Sequence, residues 1–142
     1  DRPLFVKLPS WRSDEERDEM MPMAQTSLDA GADGLVVANT HPVVDDRLAV
    51  GRGGFSGAPI LDDTVRMVAD ARGEMGNNFG LIACGGVGTA DQVWRLMEAG
   101  ASAVQLYTSF IYEGPGLPGR INRDLVERMD VDGVSGLPGV GG

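Results

Sequence analysis

The sequence predicts an α/β fold with a parallel sheet. Four short apolar runs, at residues 4–8, 34–38, 80–84 and 103–106, are each followed by a longer amphipathic segment. Strands that are apolar almost throughout are typical of parallel sheets covered by helices on both faces. Two architectures fit this alternation: an open doubly wound sheet, or part of a (β/α)8 barrel, of which four βα units make half.

The segments between the predicted strands carry helix boundary signals. Ser13 followed by Glu16 predicts a capped helix over 14–30, which Gly31 ends. Three further helices are expected at about residues 62–74, 90–99 and 117–129, and a long loop precedes Pro59. Residues 1–130 are therefore expected to form the α/β unit, and the Gly-rich segment 131–142 is expected to be disordered.

Composition narrows the classes of function. The formal net charge of −9 argues against a nucleic-acid surface, which would be basic. One cysteine and one histidine exclude an internal disulfide framework and leave too few ligands for a zinc site of His/Cys type. No apolar run approaches the roughly 18 residues of a membrane-spanning helix. The chain opens directly on an apolar run, without a signal peptide or an initiator Met, so further sequence is expected upstream.

Polar and glycine residues follow the carboxyl ends of all four predicted strands. In strand order they are Lys7, then Asn39 and Thr40, then Gly85 and Gly86, then Tyr107, Thr108 and Ser109. In parallel βα folds, functional groups collect at this end of the sheet. The sequence therefore predicts one site there.

The Gly85–Gly86 turn lies before a helix capped by Thr89 and predicts an anion site, since backbone N–H groups are free at a positive helix end. A plain βα turn is the alternative. Thr108 favours the anion site, because the loops after the last two strands of such barrels often bind one phosphate. Flavin mononucleotide (FMN) would satisfy both loops. Glycines over residues 53–59 indicate close backbone approach to a ligand, with a tight turn as the alternative.

Two side chains suit the remainder of a flavin site. Lys7 is the only lysine in the chain, and a fixed ammonium there would stabilise the negative charge of a reduced flavin. A lysine extending into solvent is the alternative. Asn39 offers donors and an acceptor in one planar group, which suits a pyrimidine edge or a carboxylate, whereas a simple turn residue is its alternative.

Residues 3–125 resemble the dihydroorotate dehydrogenases. The segments that carry the resemblance are Val6–Lys7 and residues 32–40, 53–59, 85–86 and 100–116. The stretch from Ala101 to Pro115 (ASAVQLYTSFIYEGP) looks like class 2, the membrane-associated, quinone-reducing branch. Class 1 enzymes have a small residue where Tyr107 stands and a longer insert before the glycine loop.

The resemblance implies the C-terminal half of a (β/α)8 TIM barrel. It implies FMN contacts from Lys7, Ala38, Gly57, Gly85, Gly86, Tyr107 and Thr108, and orotate contacts from Asn39 and Thr40. It further implies oxidation of dihydroorotate to orotate in pyrimidine biosynthesis, with quinone as electron acceptor and peripheral attachment of the full enzyme to the cytoplasmic face of the membrane. The catalytic base, a Ser, belongs to the first half of the barrel, so this chain alone is expected to be inactive.

Several positions depart from the family pattern, among them Pro9, which follows Lys7 one residue sooner than usual and indicates a reshaped loop after the first strand. Ala38 stands where a Thr is usual, so one hydroxyl contact is lost. Cys84 belongs to a pair that replaces Gly-Val and is expected to be a packing residue, and His41 is expected in a loop. Two other functions stay open: another FMN-dependent, pyrimidine-reducing barrel related to dihydropyrimidine dehydrogenase, and a non-catalytic half-barrel that binds a phosphate ligand or a partner chain.

Overall fold

The computed structural model describes residues 2–139. Strands and helices alternate along most of the chain, and their bounds are β1 (Phe5–Lys7), α1 (Asp14–Asp29), β2 (Gly34–Val37), β3 (His41–Val44), β4 (Arg52–Phe55), a 3-10 turn (Ala58–Ile60), α2 (Leu61–Met75), β5 (Gly80–Cys84), α3 (Ala90–Glu98), β6 (Ala103–Gln105), α4 (Thr108–Glu113) and α5 (Leu117–Asp132). Within residues 2–139, no helix has both the length and the apolar character needed to cross a membrane.

Four strands form one parallel sheet in the order β1-β2-β5-β6. In this register Lys7 lies beside Val36, and Cys84 lies beside Gln105. The order follows the sequence and contains no switch point, which is the arrangement of a barrel and differs from a doubly wound sheet. The predicted half-barrel of four parallel βα units is confirmed.

The core lies between this sheet and the helices that cover its outer face. Leu35 and Leu81, on the two central strands, are fully buried, and they pack in one cluster with Met67 and Leu96 of α2 and α3. Trp11 closes the core beside α1, and its indole N–H donates to Asp70 Oδ2 at 2.9 Å. Burial of these apolar side chains between the sheet and the helices therefore stabilises the sheet, and with it the positions of the strand ends.

The amino ends of β5 and β6 are joined to α2 through Arg72. Its guanidinium donates to the carbonyls of Gly100 at 2.6 Å and of Gly76 and Phe79 at 3.1 Å, and to Ser102 Oγ at 3.0 Å. The same group lies 4.6 Å from the centre of the Phe79 ring. Partial burial lowers the pKa of Arg72 below its usual value. One side chain thus satisfies several carbonyls at the end of the sheet opposite the predicted site.

An antiparallel hairpin occupies most of the predicted loop before Pro59. β3 pairs with β4, with His41 opposite Phe55 and Val44 opposite Arg52. The prediction of His41 as a loop residue was wrong: it begins β3 and its side chain is buried. α4, which directly follows β6, was also not predicted.

The last helix extends further than predicted. α5 ends at Asp132, two residues inside the segment expected to be disordered, because Gly133 with φ +67 supplies the C-terminal cap. Leu137 packs partly buried against the core. Disorder over the rest of 131–142 stays a prediction, and residues 140–142 lie outside the described part of the chain.

Candidate functional site

A cavity of about 400 Å³ opens at the carboxyl ends of the parallel strands. This volume lies in the range of small-molecule sites. Its lining includes every residue predicted for the site apart from Ala38: Lys7, Asn39, Thr40, Gly57, Gly85, Gly86, Tyr107 and Thr108. Segments that are far apart in sequence therefore meet at one pocket, as the strand-end pattern predicts.

The structure does not bring Ala38 into this pocket. Ala38 is completely buried in the hydrophobic core, and its N–H donates to the Cys84 carbonyl at 3.1 Å. A methyl group in that position packs between strands and does not line the cavity. Its flavin contact therefore has no support from the geometry.

Both backbone polar groups of Asn39 are hydrogen-bonded to Ser10. The Ser10 hydroxyl donates to the Asn39 carbonyl at 2.5 Å and accepts from the Asn39 N–H at 3.0 Å. Asn39 Oδ1 accepts from the Thr40 N–H at 2.9 Å, which fixes the amide plane. Among residues 2–139, the Nδ2 group of Asn39 donates no hydrogen bond, so two oriented donors remain for a ligand.

The glycine turn after β5 packs against the start of α2. Gly85 and Gly86 have φ values of +142 and +80, which side chains rarely adopt. A Cβ atom at Gly86 would lie 2.6 Å from the Leu61 backbone nitrogen, and one at Gly85 would lie 2.7 Å from Thr64 Oγ1. Glycine is required at both positions, and the turn holds its backbone at the edge of the pocket.

A capping box satisfies part of the amino end of α3. Gln92 Oε1 accepts from the N–H groups of Gly88 and Thr89 at 2.7 and 3.1 Å, and Thr89 Oγ1 accepts from the Gln92 N–H at 3.3 Å. In the part of the chain that the structure describes, the N–H groups of Gly86 and Val87 donate no hydrogen bond. The glycine turn therefore offers backbone donors of the kind that anion sites use.

Two serines connect the pocket loops: Ser109, which belongs to the predicted strand-end set, and Ser56, which the sequence analysis did not assign to the site. Thr108 donates to the Ser56 hydroxyl at 3.0 Å, and Ser109 donates to the Val87 carbonyl at 2.5 Å. The loops after β4, β5 and β6 are thereby joined to one another. Ser56 directly precedes the predicted residue Gly57, and that adjacency is the signal that could have found it.

Lys7 and Cys84 meet inside the pocket. Lys7 Nζ donates to Cys84 Sγ at 3.5 Å, and both residues line the cavity. Cys84 is half buried, and its packing role stays a prediction. Several apolar residues missed from the sequence also line the cavity, namely Ile60, Leu106, Ile111 and Tyr112. Ile111 lies four residues after Tyr107, a helical spacing that could have indicated it.

A parallel sheet in sequence order, with its site at the carboxyl ends, defines an α/β protein built as part of a (β/α)8 barrel. The family model for dihydroorotate dehydrogenase matches residues 1–129. The chain belongs to the dihydroorotate dehydrogenase family.

Known proteins of this family resemble the chain over nearly its whole length. It is 36% identical over 138 residues to the dihydroorotate dehydrogenase (quinone) of Nautilia profundicola and 38% identical over 137 residues to that of Sphingopyxis alaskensis. These matches cover 95% and 94% of the chain but only 37% and 38% of the relatives. The chain therefore spans well under half of the length of these enzymes.

Solved structures of dihydroorotate dehydrogenase also match most of this chain with only part of their own length. The dihydroorotate dehydrogenase of Eimeria tenella in complex with ferulenol superposes with a TM-score of 0.77 at 33% identity, covering 92% of this chain and 35% of that one. The ligand-free form of the Eimeria enzyme gives a TM-score of 0.80 at 33% identity, covering 96% and 38%.

Proposed function

We propose that this chain forms the C-terminal part of a quinone-dependent dihydroorotate dehydrogenase that oxidises dihydroorotate to orotate with FMN in pyrimidine biosynthesis. The observation that carries the proposal is the single pocket in which Lys7, Asn39 and the Gly85–Gly86 turn meet. The quinone-dependent relatives support the choice of electron acceptor. Peripheral attachment to the cytoplasmic face of the membrane would bring the complete enzyme to its quinone.

The residues of the pocket suit both the phosphate and the remainder of an FMN molecule. The N–H groups of Gly86 and Val87 would hold the phosphate, since backbone donors in a glycine turn suit an anion, and Thr108 would position the neighbouring loop through its hydrogen bond to Ser56. Gly57 and Tyr107 would contact the remainder of the cofactor. When bound, FMN supplies a two-electron acceptor for hydride.

Lys7 would act through its charge. Reduction adds negative charge to a flavin. A fixed ammonium in the pocket therefore lowers the free energy of the reduced flavin more than that of the oxidised flavin. Lys7 takes part in no ion pair within residues 2–139, so its charge is not already neutralised by a neighbouring carboxylate.

Asn39 and Thr40 would recognise the substrate. The Asn39 backbone is held by Ser10 and its side-chain amide by the Thr40 N–H before any ligand arrives, so little ordering cost remains at binding. Its two Nδ2 donors suit the carbonyl and carboxylate oxygens of orotate.

The proton abstractor belongs elsewhere in the complete enzyme. Oxidation of dihydroorotate requires a base that removes a carbon-bound proton while hydride leaves the neighbouring carbon. As the family resemblance implies, we assign the base to a Ser in the first half of the barrel.

Anaerobic reduction of the complete enzyme tests the proposal. The purified protein should contain one FMN, and dihydroorotate should bleach its absorbance near the visible flavin maximum. A water-soluble quinone should then restore the absorbance, and orotate should accumulate in step with quinone reduction. Bleaching by a nicotinamide cofactor but not by dihydroorotate would favour the pyrimidine-reducing alternative. Protein that binds phosphate ligands but no flavin would favour the non-catalytic one.

A further inference from the structure

The contact between Lys7 and Cys84 crosses a whole strand. β2 lies between β1 and β5 in the sheet, and strands two positions apart are separated by about 10 Å. The Lys7 side chain must therefore extend over the carboxyl end of β2 to place Nζ 3.5 Å from Cys84 Sγ. Its amine end is held beside β5, at the start of the Gly85–Gly86 turn.

We infer that Cys84 is a positioning residue for the Lys7 ammonium. The inference rests on the proposed function, because it assigns that ammonium to the reduced flavin. A lysine has a long flexible stem, and its charge acts at a defined point only where a partner restricts the stem. Among residues 2–139, Cys84 Sγ is the hydrogen-bond acceptor found for Lys7 Nζ. A thiol is a weak and uncharged acceptor, so it orients the ammonium without neutralising its charge.

A packing role and a positioning role for Cys84 would depend on different properties of its side chain. Packing depends on volume, so a valine in its place would serve as well as the thiol. Orientation of an ammonium depends on an acceptor atom, which serine keeps and valine lacks. The pair of variants Cys84→Val and Cys84→Ser therefore separates the two roles.

The experiment measures the reduction potential of FMN bound to the complete enzyme. Cys84→Val and Cys84→Ala should each shift the reduction equilibrium about two- to tenfold toward oxidised flavin, the effect of one ordinary hydrogen bond. For a two-electron couple this is about 9–30 mV. Cys84→Ser should keep a potential close to that of the unchanged enzyme. Lys7→Met should lower the potential further than any Cys84 variant.

The decisive comparison is a double-mutant cycle. If Cys84 acts through Lys7, then Cys84→Val should change nothing further in the Lys7→Met background. A shift of the same size in both backgrounds, or an unchanged potential in Cys84→Val, would overturn the inference. Flavin content near one per chain in these variants would leave the proposed function intact. Absence of flavin from the unchanged enzyme would overturn both. If Cys84→Val alone lost its flavin, Cys84→Ala would take its place in the cycle.

Discussion

Thr108 donates a 3.0 Å hydrogen bond to the hydroxyl of Ser56, which lies 52 residues earlier in the chain. The next residue, Ser109, donates to the Val87 carbonyl. These two bonds join three loops at the rim of the pocket. We therefore expect cofactor affinity to depend on contacts between loops as well as on contacts to the ligand.

Thr108→Val should weaken FMN binding about tenfold or more, because valine keeps the shape of threonine but loses its hydroxyl. The measurement is a titration of the flavin-free complete enzyme with FMN, followed by fluorescence. Thr26→Val is the matched control, since Thr26 lies exposed on α1 away from the pocket. Equal FMN affinities for the two variants would remove Thr108 from the site.

Asn39→Ala should weaken orotate binding roughly ten- to hundredfold, since each directional bond lost to a polar ligand costs about 1–3 kcal/mol. Flavin content should stay near normal because the phosphate contacts lie on other loops. Asn39→Asp keeps the oxygen that accepts from the Thr40 N–H but removes both donors, and its charge repels the orotate carboxylate. It should therefore bind orotate no better than Asn39→Ala. Isothermal titration of each variant measures the affinity, and loss of flavin with normal orotate binding would reverse this assignment.

Gly86→Val should yield protein without flavin. A side chain there is strained at φ +80 and collides with the Leu61 backbone, which displaces the turn that offers its N–H groups. Gly31→Val is the control, because φ is +98 and a Cβ atom meets nothing within 4 Å. Both variants should lose stability, but only Gly86→Val should lose flavin absorbance per mole of protein. Equal flavin content in the two would show that the turn does not hold the cofactor.

Arg72→Met should lower the free energy of unfolding by about 2–4 kcal/mol, because several carbonyls at the amino ends of β5 and β6 lose a charged donor. Flavin affinity should change little, since these contacts lie at the opposite end of the sheet. Arg47→Met is the control: Arg47 pairs with Asp45 on the exposed hairpin, and its loss should leave stability unchanged. Urea denaturation of the complete enzyme compares the two. Similar unfolding midpoints for both variants would contradict the role given to Arg72.

The chain expressed by itself should self-associate. β1 and β6 are the edges of its parallel sheet, and Leu4 and Phe5 beside the first edge are 59% and 37% exposed. Unpaired strand edges with apolar side chains pair readily with other chains. Size-exclusion chromatography with light scattering at ordinary salt measures the mass, and a stable monomer would refute the expectation.

The parallel sheet was predictable because its signal is local. β5 was predicted with its observed bounds, since residues 81–84 form a continuous apolar run between Gly80 and Gly85. The location of the site was predictable from the same pattern, because polar residues that follow parallel strands meet at one edge of the sheet. Lys7 and Gly86 were found in this way, although they are far apart in sequence.

The hairpin and the loop contacts were not predictable because they depend on tertiary placement. β4 contains Gly53 and Gly54, which disfavour strands, and its extended form comes from pairing with β3. The flavin contact assigned to Ala38 came from resemblance alone, and the sequence does not show that its methyl group turns into the core. Whether Ser109 reaches Val87 depends on how two loops pack.

The β3–β4 hairpin offers a position for a reporter group. It begins directly after Thr40 and ends directly before Ser56, and both of these residues line the pocket. Its tip, residues 46–50, is exposed. A small fluorescent dye attached at the tip would lie outside the pocket while both ends of its hairpin adjoin bound ligand. Its emission would then report ligand binding independently of the absorbance of the proposed flavin and without a modified substrate.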